Sequence, residues 1–140
     1  MFLLDTNVVS ELRKLRRADP AVALWGCATS PGAMYVSVMT LMVIEIGVLR
    51  IERRDHKQGA LLRRWLEGRV LPLFAARILP IDTAVARRCA SLHVPDPRSE
   101  RDALIAATAL THGLTVVTRN TADFEPMGVT LLNPWLATSA

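Results

Sequence analysis

The chain has 140 residues, of which 51% are hydrophobic, so it can bury the core of one folded domain and is not a disordered chain. No apolar run reaches the roughly 18 residues that cross a bilayer, and no signal-peptide pattern is present at the N-terminus, so we expect a cytoplasmic protein without a membrane segment. Lysine and arginine outnumber aspartate and glutamate by 17 to 13, and nearly all of the positive charge is arginine. The guanidinium group binds two phosphate oxygens at once, which makes nucleic acid a candidate partner, although each basic cluster alone is more simply explained as a solvated helix face.

Strand-like and helix-like segments alternate along the whole chain. In chain order they are the strand "MFLL", the helix "VVSELRKL", the helix "AVALWGCAT", the strand "MYVSV", the helix "TLMVIEIGVLRIERR", the helix "QGALLRRWLEGRVLPLF", the strand "RILPI", the helix "DTAVARRCASLHV", the turn "PDPRSE", the helix "RDALIAATALTHG", the strand "LTVVT", the loop "RNTADFEPMG" and the strand "VTLLN". This alternation predicts an α/β fold, with one domain over residues 1–140 and a central parallel sheet flanked by helices.

Four acidic residues stand in positions that ordinary surface roles explain poorly. Asp5 directly follows the first buried strand, Glu45 has apolar neighbours on both sides in its helix, Asp102 opens an alanine-rich helix, and Asp123 follows the strand "LTVVT". Each has a simpler explanation: Asp5 and Asp102 could be helix caps, Glu45 could pair with an arginine across a helix, and Asp123 could be a turn residue.

Taken together, these four carboxylates predict a cation site. Two strand ends, one helix start and one apolar helix can meet at the same edge of a parallel sheet. Carboxylates gathered there would repel one another unless a cation lay between them. Oxygen ligands select a hard ion, so we expect Mg²⁺ or Mn²⁺.

Other chemistries fit the sequence less well. Cys27 and Cys89 lie in different segments without metal-type spacing, and we expect reduced thiols in the core. His56, His93 and His112 are far apart, which favours surface or cap roles over zinc binding. The chain has no nucleophile elbow and no glycine-rich phosphate loop.

Several motifs give the chain a family resemblance. They are "LLDTNVVSEL", "SVMTLMVIEIGVLR", "RDALIAATALTHGLTVVTRNTADF" and the closing "NPW", which follow one another in order and span essentially the whole chain. With these motifs the chain resembles the PIN-domain ribonucleases, in particular the FitB-like branch of the VapC-type toxins of bacterial toxin–antitoxin pairs. The resemblance implies a single PIN-like domain.

The resemblance also implies which residues form the site. The acidic quartet of the family falls on Asp5, Glu45, Asp102 and Asp123. Its polar helpers fall on Asn7, Thr118 and Asn120. One minor departure is that many relatives have an acid, or a different apolar residue, at the position that Val43 occupies in this chain, while Glu45 itself is in register with the glutamate of the family.

The function implied by the resemblance is metal-dependent hydrolysis of RNA by a toxin. Asp5 and Asp123 would bind Mg²⁺ or Mn²⁺ directly, Asp102 directly or through water, and Glu45 would be a ligand or a base that positions water. Thr118 and Asn120 would orient water or phosphate. A cognate antitoxin would hold the toxin inactive, and we expect a homodimer that can join a hetero-oligomer with the antitoxin on operator DNA. Two alternatives remain open: a DNA-binding regulatory partner with a weak or dormant nuclease site, and a DNA endonuclease.

Overall fold

One sheet of five parallel strands forms the centre of the fold. The structure is a computed structural model that describes residues 1–136. Within them the strands lie in the spatial order β3-β2-β1-β4-β5, and every neighbouring pair is parallel. The strands are β1 (Phe2–Leu4), β2 (Met34–Ser37), β3 (Ile78–Leu79), β4 (Thr115–Val117) and β5 (Leu131–Leu132). The parallel sheet predicted from the sequence is therefore confirmed.

Helices connect these strands and cover both faces of the sheet. They are α1 (Thr6–Arg13), α2 (Pro20–Ala28), α3 (Val38–Arg54), α4 (His56–Trp65), α5 (Leu71–Phe74), α6 (Thr83–Leu92), α7 (Glu100–His112) and α8 (Thr121–Phe124). A single π-helical turn, Leu66–Val70, joins α4 to α5, and short 3-10 turns lie at Leu15–Arg17, Pro31–Ala33 and Glu125–Met127. No helix among residues 1–136 is long and apolar enough to cross a membrane.

The side chains of the two central strands point alternately to the two faces of the sheet, so the core has two halves. Leu3 pairs with Val116 and belongs to the half under α6 and α7, whereas Leu4 pairs with Val117 and belongs to the half under α1, α3 and α5. Successive side chains of a strand point to opposite faces, so these apolar strands are buried on both sides. Both leucines are almost fully buried, and truncating either to alanine should cost about 2–5 kcal/mol. This packing fixes the strand ends that carry the site.

The buried face of the helix α7 consists mainly of small residues, together with Ile105. Ala103, Ala106, Ala107 and Ala109 are fully buried there. The helix ends at Gly113, whose φ of 66° is the left-handed conformation that glycine adopts most easily. Because α7 leads directly into β4 and packs against it, the first turn of α7 lies at the carboxyl edge of the sheet.

Two details of the sequence prediction were wrong. The segment "RNTADFEPMG" is not a loop, because it contains α8 and the 3-10 turn Glu125–Met127. The fully buried side chain of Phe124 anchors this segment in the core half under α7. Cys89 is buried as expected, but Cys27 is exposed.

Candidate active site

The candidate site lies where the order of the sheet reverses direction. From β1 the chain continues to β2 on one side, while β4 lies on the other side of β1. In open α/β sheets ligands bind at such a point, in the crevice outside the carboxyl ends of the two strands. Asp5 directly follows β1 and Thr118 directly follows β4. The backbone N–H of Asp5 donates to the Val117 carbonyl at 2.9 Å, which continues the strand pairing into the site.

Asp5 is held by hydrogen bonds from both strand ends. Thr118 Oγ1 donates to Asp5 Oδ2 at 2.8 Å, and the backbone N–H of Thr6 donates to Asp5 Oδ1 at 2.8 Å. Asn7 Nδ2 lies 3.4 Å from Asp5 Oδ2 and 3.3 Å from Thr118 Oγ1. The bond from Thr6 makes Asp5 the N-cap of α1. Capping therefore holds the carboxylate in one position, and it is compatible with binding of a cation by the same carboxylate.

Asn120 belongs to the same network through its backbone. Its N–H donates to Thr118 Oγ1 at 3.0 Å. The Arg119 N–H donates to Asn7 Oδ1 at 3.3 Å. The segment after β4 is thereby tied to the start of α1, and the predicted helper residues Asn7, Thr118 and Asn120 lie together.

Asp102 and Asp123 interact with Asp5 through their charges. Asp102 lies in the first turn of α7 and Asp123 in the first turn of α8. Burial raises the pKa of Asp5, and the charge of Asp123 raises it further, while hydrogen bonds from Thr118 and Thr6 oppose the shift. The pKa of Asp102 is also raised, first by burial and then by the charges of Asp5 and Asp123. Three of the four predicted carboxylates, Asp5, Asp102 and Asp123, therefore lie within electrostatic reach of one another.

Glu45 is not brought to these three carboxylates. Its Oε2 accepts a hydrogen bond from Arg63 Nη1 on α4 at 2.7 Å. Arg63 also donates from Nη2 to Glu52 Oε1 at 2.8 Å and from Nε to Glu52 Oε2 at 3.2 Å. Glu45 is not among the charges that shift the pKa of Asp5 or Asp102. The alternative considered for Glu45, a pair with an arginine across a helix, is the arrangement that the structure shows.

An open groove of about 480 Å³ is lined by Thr6, which follows Asp5 in the chain, and by Arg101, which precedes Asp102. Val43, Arg13 and Trp65 are also among the residues that line it. The guanidinium carbon of Arg13 lies 5.7 Å from the ring centroid of Trp65. The groove therefore combines apolar walls with arginine side chains.

A second arginine–tryptophan pair flanks the site and was missed from the sequence. The guanidinium carbon of Arg119 lies 5.1 Å from the ring centroid of Trp135. Asn133 bridges the two, because its Nδ2 lies 3.5 Å from the Arg119 carbonyl and its Oδ1 accepts from the Trp135 N–H at 3.0 Å. The "NPW" motif was the available signal, since it is the segment that supplies Asn133 and Trp135.

The donor chemistry of the three aspartates fits a hard divalent cation. Their oxygens are the ligands that Mg²⁺ and Mn²⁺ prefer, and a cation would offset the burial and repulsion that raise the pKa values of Asp5 and Asp102. Within residues 1–136 no three acidic, histidine or cysteine side chains lie close enough together to enclose an ion by themselves. An ion at this site would therefore also need water ligands of its own, which Mg²⁺ commonly keeps.

Comparison with known proteins defines the class to which this chain belongs. The profile of the PIN domain matches residues 2–128. The chain therefore belongs to the PIN-domain family.

Individual relatives cover nearly the whole chain. It is 38% identical over 140 residues to a protein named VapC ribonuclease from Sinorhizobium fredii, covering 96% of this chain and 98% of that protein. It is also 38% identical over 141 residues to Toxin FitB from Neisseria gonorrhoeae, covering 96% of this chain and 99% of that toxin. The solved structure of FitAB bound to a DNA fragment is similar with a TM-score of 0.89 and 34% identity, covering 99% of both chains.

Proposed function

We propose that this protein is the toxin of a toxin–antitoxin pair and acts as a Mg²⁺- or Mn²⁺-dependent endoribonuclease. The observation that carries the proposal is the meeting of Asp5, Asp102 and Asp123 at the carboxyl edge of β1 and β4, where their charges interact. The relatives named VapC ribonuclease and Toxin FitB support this function. Because the proposed substrate is cellular RNA, we place the protein in the cytoplasm.

The residues of the site divide into ligands and positioning residues. Asp5, Asp102 and Asp123 would hold the divalent ion. When bound, the ion would supply a water of lowered pKa and offset negative charge at the scissile phosphate. Thr118 fixes one oxygen of Asp5 with its 2.8 Å hydrogen bond, and Asn7 supports both side chains. Asn120 fixes the Thr118 hydroxyl through its backbone N–H.

Arginines around the site would bind the RNA backbone. Arg119 directly follows Thr118 and stacks on Trp135, and Arg101 directly precedes Asp102 and lines the groove. A guanidinium group suits phosphate because it donates paired hydrogen bonds. Trp135 supports the Arg119 side chain and offers an aromatic face beside the site, and such faces bind unpaired bases by stacking.

The antitoxin would use the groove beside the aspartates. The apolar walls around Val43 and Trp65 suit an amphipathic helix of the partner. A partner arginine could bridge two of the aspartates and so prevent metal or phosphate from entering. FitB forms part of the FitAB complex on DNA, and we propose the same kind of assembly, with binding to operator DNA, for this chain. The test is a co-purified complex, which should cleave RNA only after the antitoxin is removed.

We also propose that the toxin forms a homodimer through the exposed side of α3 and α4. Met42, Leu49 and Leu61 are large apolar residues on these helices with 43%, 53% and 57% exposure. Light scattering should give twice the chain mass, and a monomer mass at every concentration would contradict the dimer.

Cleavage of RNA by the purified chain is the direct test of the enzymatic proposal. We expect fragments from a single-stranded RNA with Mg²⁺ or Mn²⁺, and none after EDTA is added or with Asp102→Asn. An equal-length single-stranded DNA distinguishes an RNA endonuclease from a DNA endonuclease. The second candidate, a DNA-binding partner with a weak or dormant nuclease site, is favoured by the position of Glu45 away from the aspartates. It predicts normal operator binding with the antitoxin but no metal-dependent cleavage.

A further inference from the structure

The flank of α3 that faces the site carries a valine. Resting on the proposed function, we infer that this chain builds its metal site from Asp5, Asp102 and Asp123 alone. Val43 occupies the α3 position from which a fourth carboxylate would reach them. Glu45, on the opposite flank of the same helix, joins α3 to α4 and does not bind the metal.

The position of Val43 follows from what lines the groove with it. Thr6 directly follows Asp5 and donates its N–H to that carboxylate at 2.8 Å. Arg101 directly precedes Asp102. Val43 lines the same groove as Thr6 and Arg101. The side chain at position 43 therefore shares a groove with the chain neighbours of two of the three aspartates.

Helix geometry explains why Glu45 does not share this position. The inward stripe of α3 consists of Thr40, Ile44 and Val48, which are at most 5% exposed and are spaced by one helical turn. Val43 precedes Ile44 by one residue and Glu45 follows it by one. Because each residue of an α-helix advances by about 100°, the two side chains are separated by about 200° around the axis.

On the opposite flank of α3, Glu45 forms an ion pair that joins α3 to α4. Arg63 forms ion pairs with Glu45 at 2.7 Å and with Glu52 at 2.8 Å, so one α4 side chain binds two positions of α3 that are nearly two turns apart. The two glutamates are also the groups that raise the pKa of Arg63, chiefly through their hydrogen bonds. The pairing gives Glu45 Oε2 a partner within the chain, and the glutamate side chain is 44% exposed.

The chemical consequence is a site with one negative charge and one oxygen ligand fewer than a four-carboxylate site would have. Its affinity for a divalent ion is set by three carboxylates, with water completing the coordination shell. Introducing an acid at position 43 should therefore tighten metal binding. Removing the acid at position 45 should leave metal binding unchanged.

Manganese binding to the full chain and its variants tests this inference without relying on catalysis. Calorimetric titration with MnCl₂ compares the wild type with Val43→Glu, its uncharged match Val43→Gln, Glu45→Gln and Asp102→Asn. We expect Val43→Glu to bind at least about tenfold more tightly, the smaller end of the range seen when groups that support metal ligands are altered. Val43→Gln and Glu45→Gln should match the wild type, Asp102→Asn should lose binding, and Glu45→Gln should also lower the metal-free Tm slightly.

The outcomes separate this inference from the proposed function. If Asp102→Asn keeps wild-type affinity, the aspartates are not the metal site and the proposed function itself fails. If Asp102→Asn loses affinity but Glu45→Gln loses it equally, Glu45 binds the metal and the three-carboxylate inference is overturned. A folded Val43→Glu that binds no better than Val43→Gln overturns it as well. If Val43→Glu does not fold, the Glu45→Gln titration still decides.

Discussion

Two groups of carboxylates lie on this fold and have opposite surroundings. Asp5, Asp102 and Asp123 gather at the carboxyl edge of the sheet, and none of them forms an ion pair within the described residues 1–136. Glu45 and Glu52 lie on α3 and share the guanidinium group of Arg63. Burial raises the pKa of Asp5 and Asp102, whereas the hydrogen bond from Arg63 lowers the pKa of Glu52. Acids that have their own arginine stabilise the fold, while those left without one are available to an external cation.

Removing one of the three aspartates should have the largest effect on RNA cleavage. We expect Asp5→Asn or Asp102→Asn to reduce RNA cleavage by at least about a hundredfold, because each removes a metal ligand. Mutating a residue that only supports a metal ligand already lowers metal affinity or activity by about 10–100-fold. Asparagine can still cap α1, and the substitution removes a buried charge, so the metal-free Tm should hold or rise. Cleavage assays and thermal melts check both parts. The exposed Asp96→Asn is the control, and full activity in either site variant would remove the metal-site account.

The hydrogen bond between Thr118 and Asp5 should be next in importance. Thr118→Val removes the donor to Asp5 Oδ2 with little change in shape, and we expect about a tenfold loss of cleavage. Thr118→Ser retains the hydroxyl and should restore most of the activity. If serine and valine behave alike, the loss comes from packing and the hydroxyl does not position Asp5.

Loss of the Arg119 guanidinium should affect substrate binding more than the chemical step. We expect Arg119→Ala to raise KM for a short RNA about fivefold with a smaller change in kcat, because a single phosphate or stacking contact contributes roughly 1 kcal/mol. The salt dependence of binding should also become shallower. Steady-state kinetics at two salt concentrations measure this, with Arg87→Ala on α6 as the matched control. Equal effects of the two variants would contradict a specific role for Arg119.

The two groups of acids should also differ in how pH affects stability, and this is the smallest expected effect. The raised pKa of Asp102 means that its charged form destabilises the metal-free fold, so the advantage of Asp102→Asn should shrink as pH falls from 7 through that raised pKa. Glu52 has a lowered pKa, so its stabilising contribution is present above the ordinary value of 4.5 and is lost as pH falls through the lowered one. The stability deficit of Glu52→Gln should accordingly disappear at low pH. Melts of both variants in EDTA between pH 3 and 7 test these opposite trends, and parallel trends would contradict them.

Much of the fold and three of the acids could be predicted from local sequence patterns. The end of a strand indicated Asp5, the start of an alanine-rich helix indicated Asp102, and the segment after β4 indicated Asp123. The role of Glu45 could not be read in this way, because apolar neighbours in sequence do not reveal which flank of a helix meets which partner. The helix α8 was missed because four residues are too short to show helical periodicity, and the burial of Phe124 that anchors it depends on tertiary packing.

The position of a bound manganese ion would show whether the three aspartates form the metal site. Crystals of the full chain soaked in MnCl₂ can be measured at a wavelength where manganese scatters anomalously. The account predicts an anomalous peak coordinated by Asp5, Asp102 and Asp123, with Glu45 still bonded to Arg63. A peak coordinated by Glu45, or a manganese site elsewhere with the three aspartates unliganded, would contradict it.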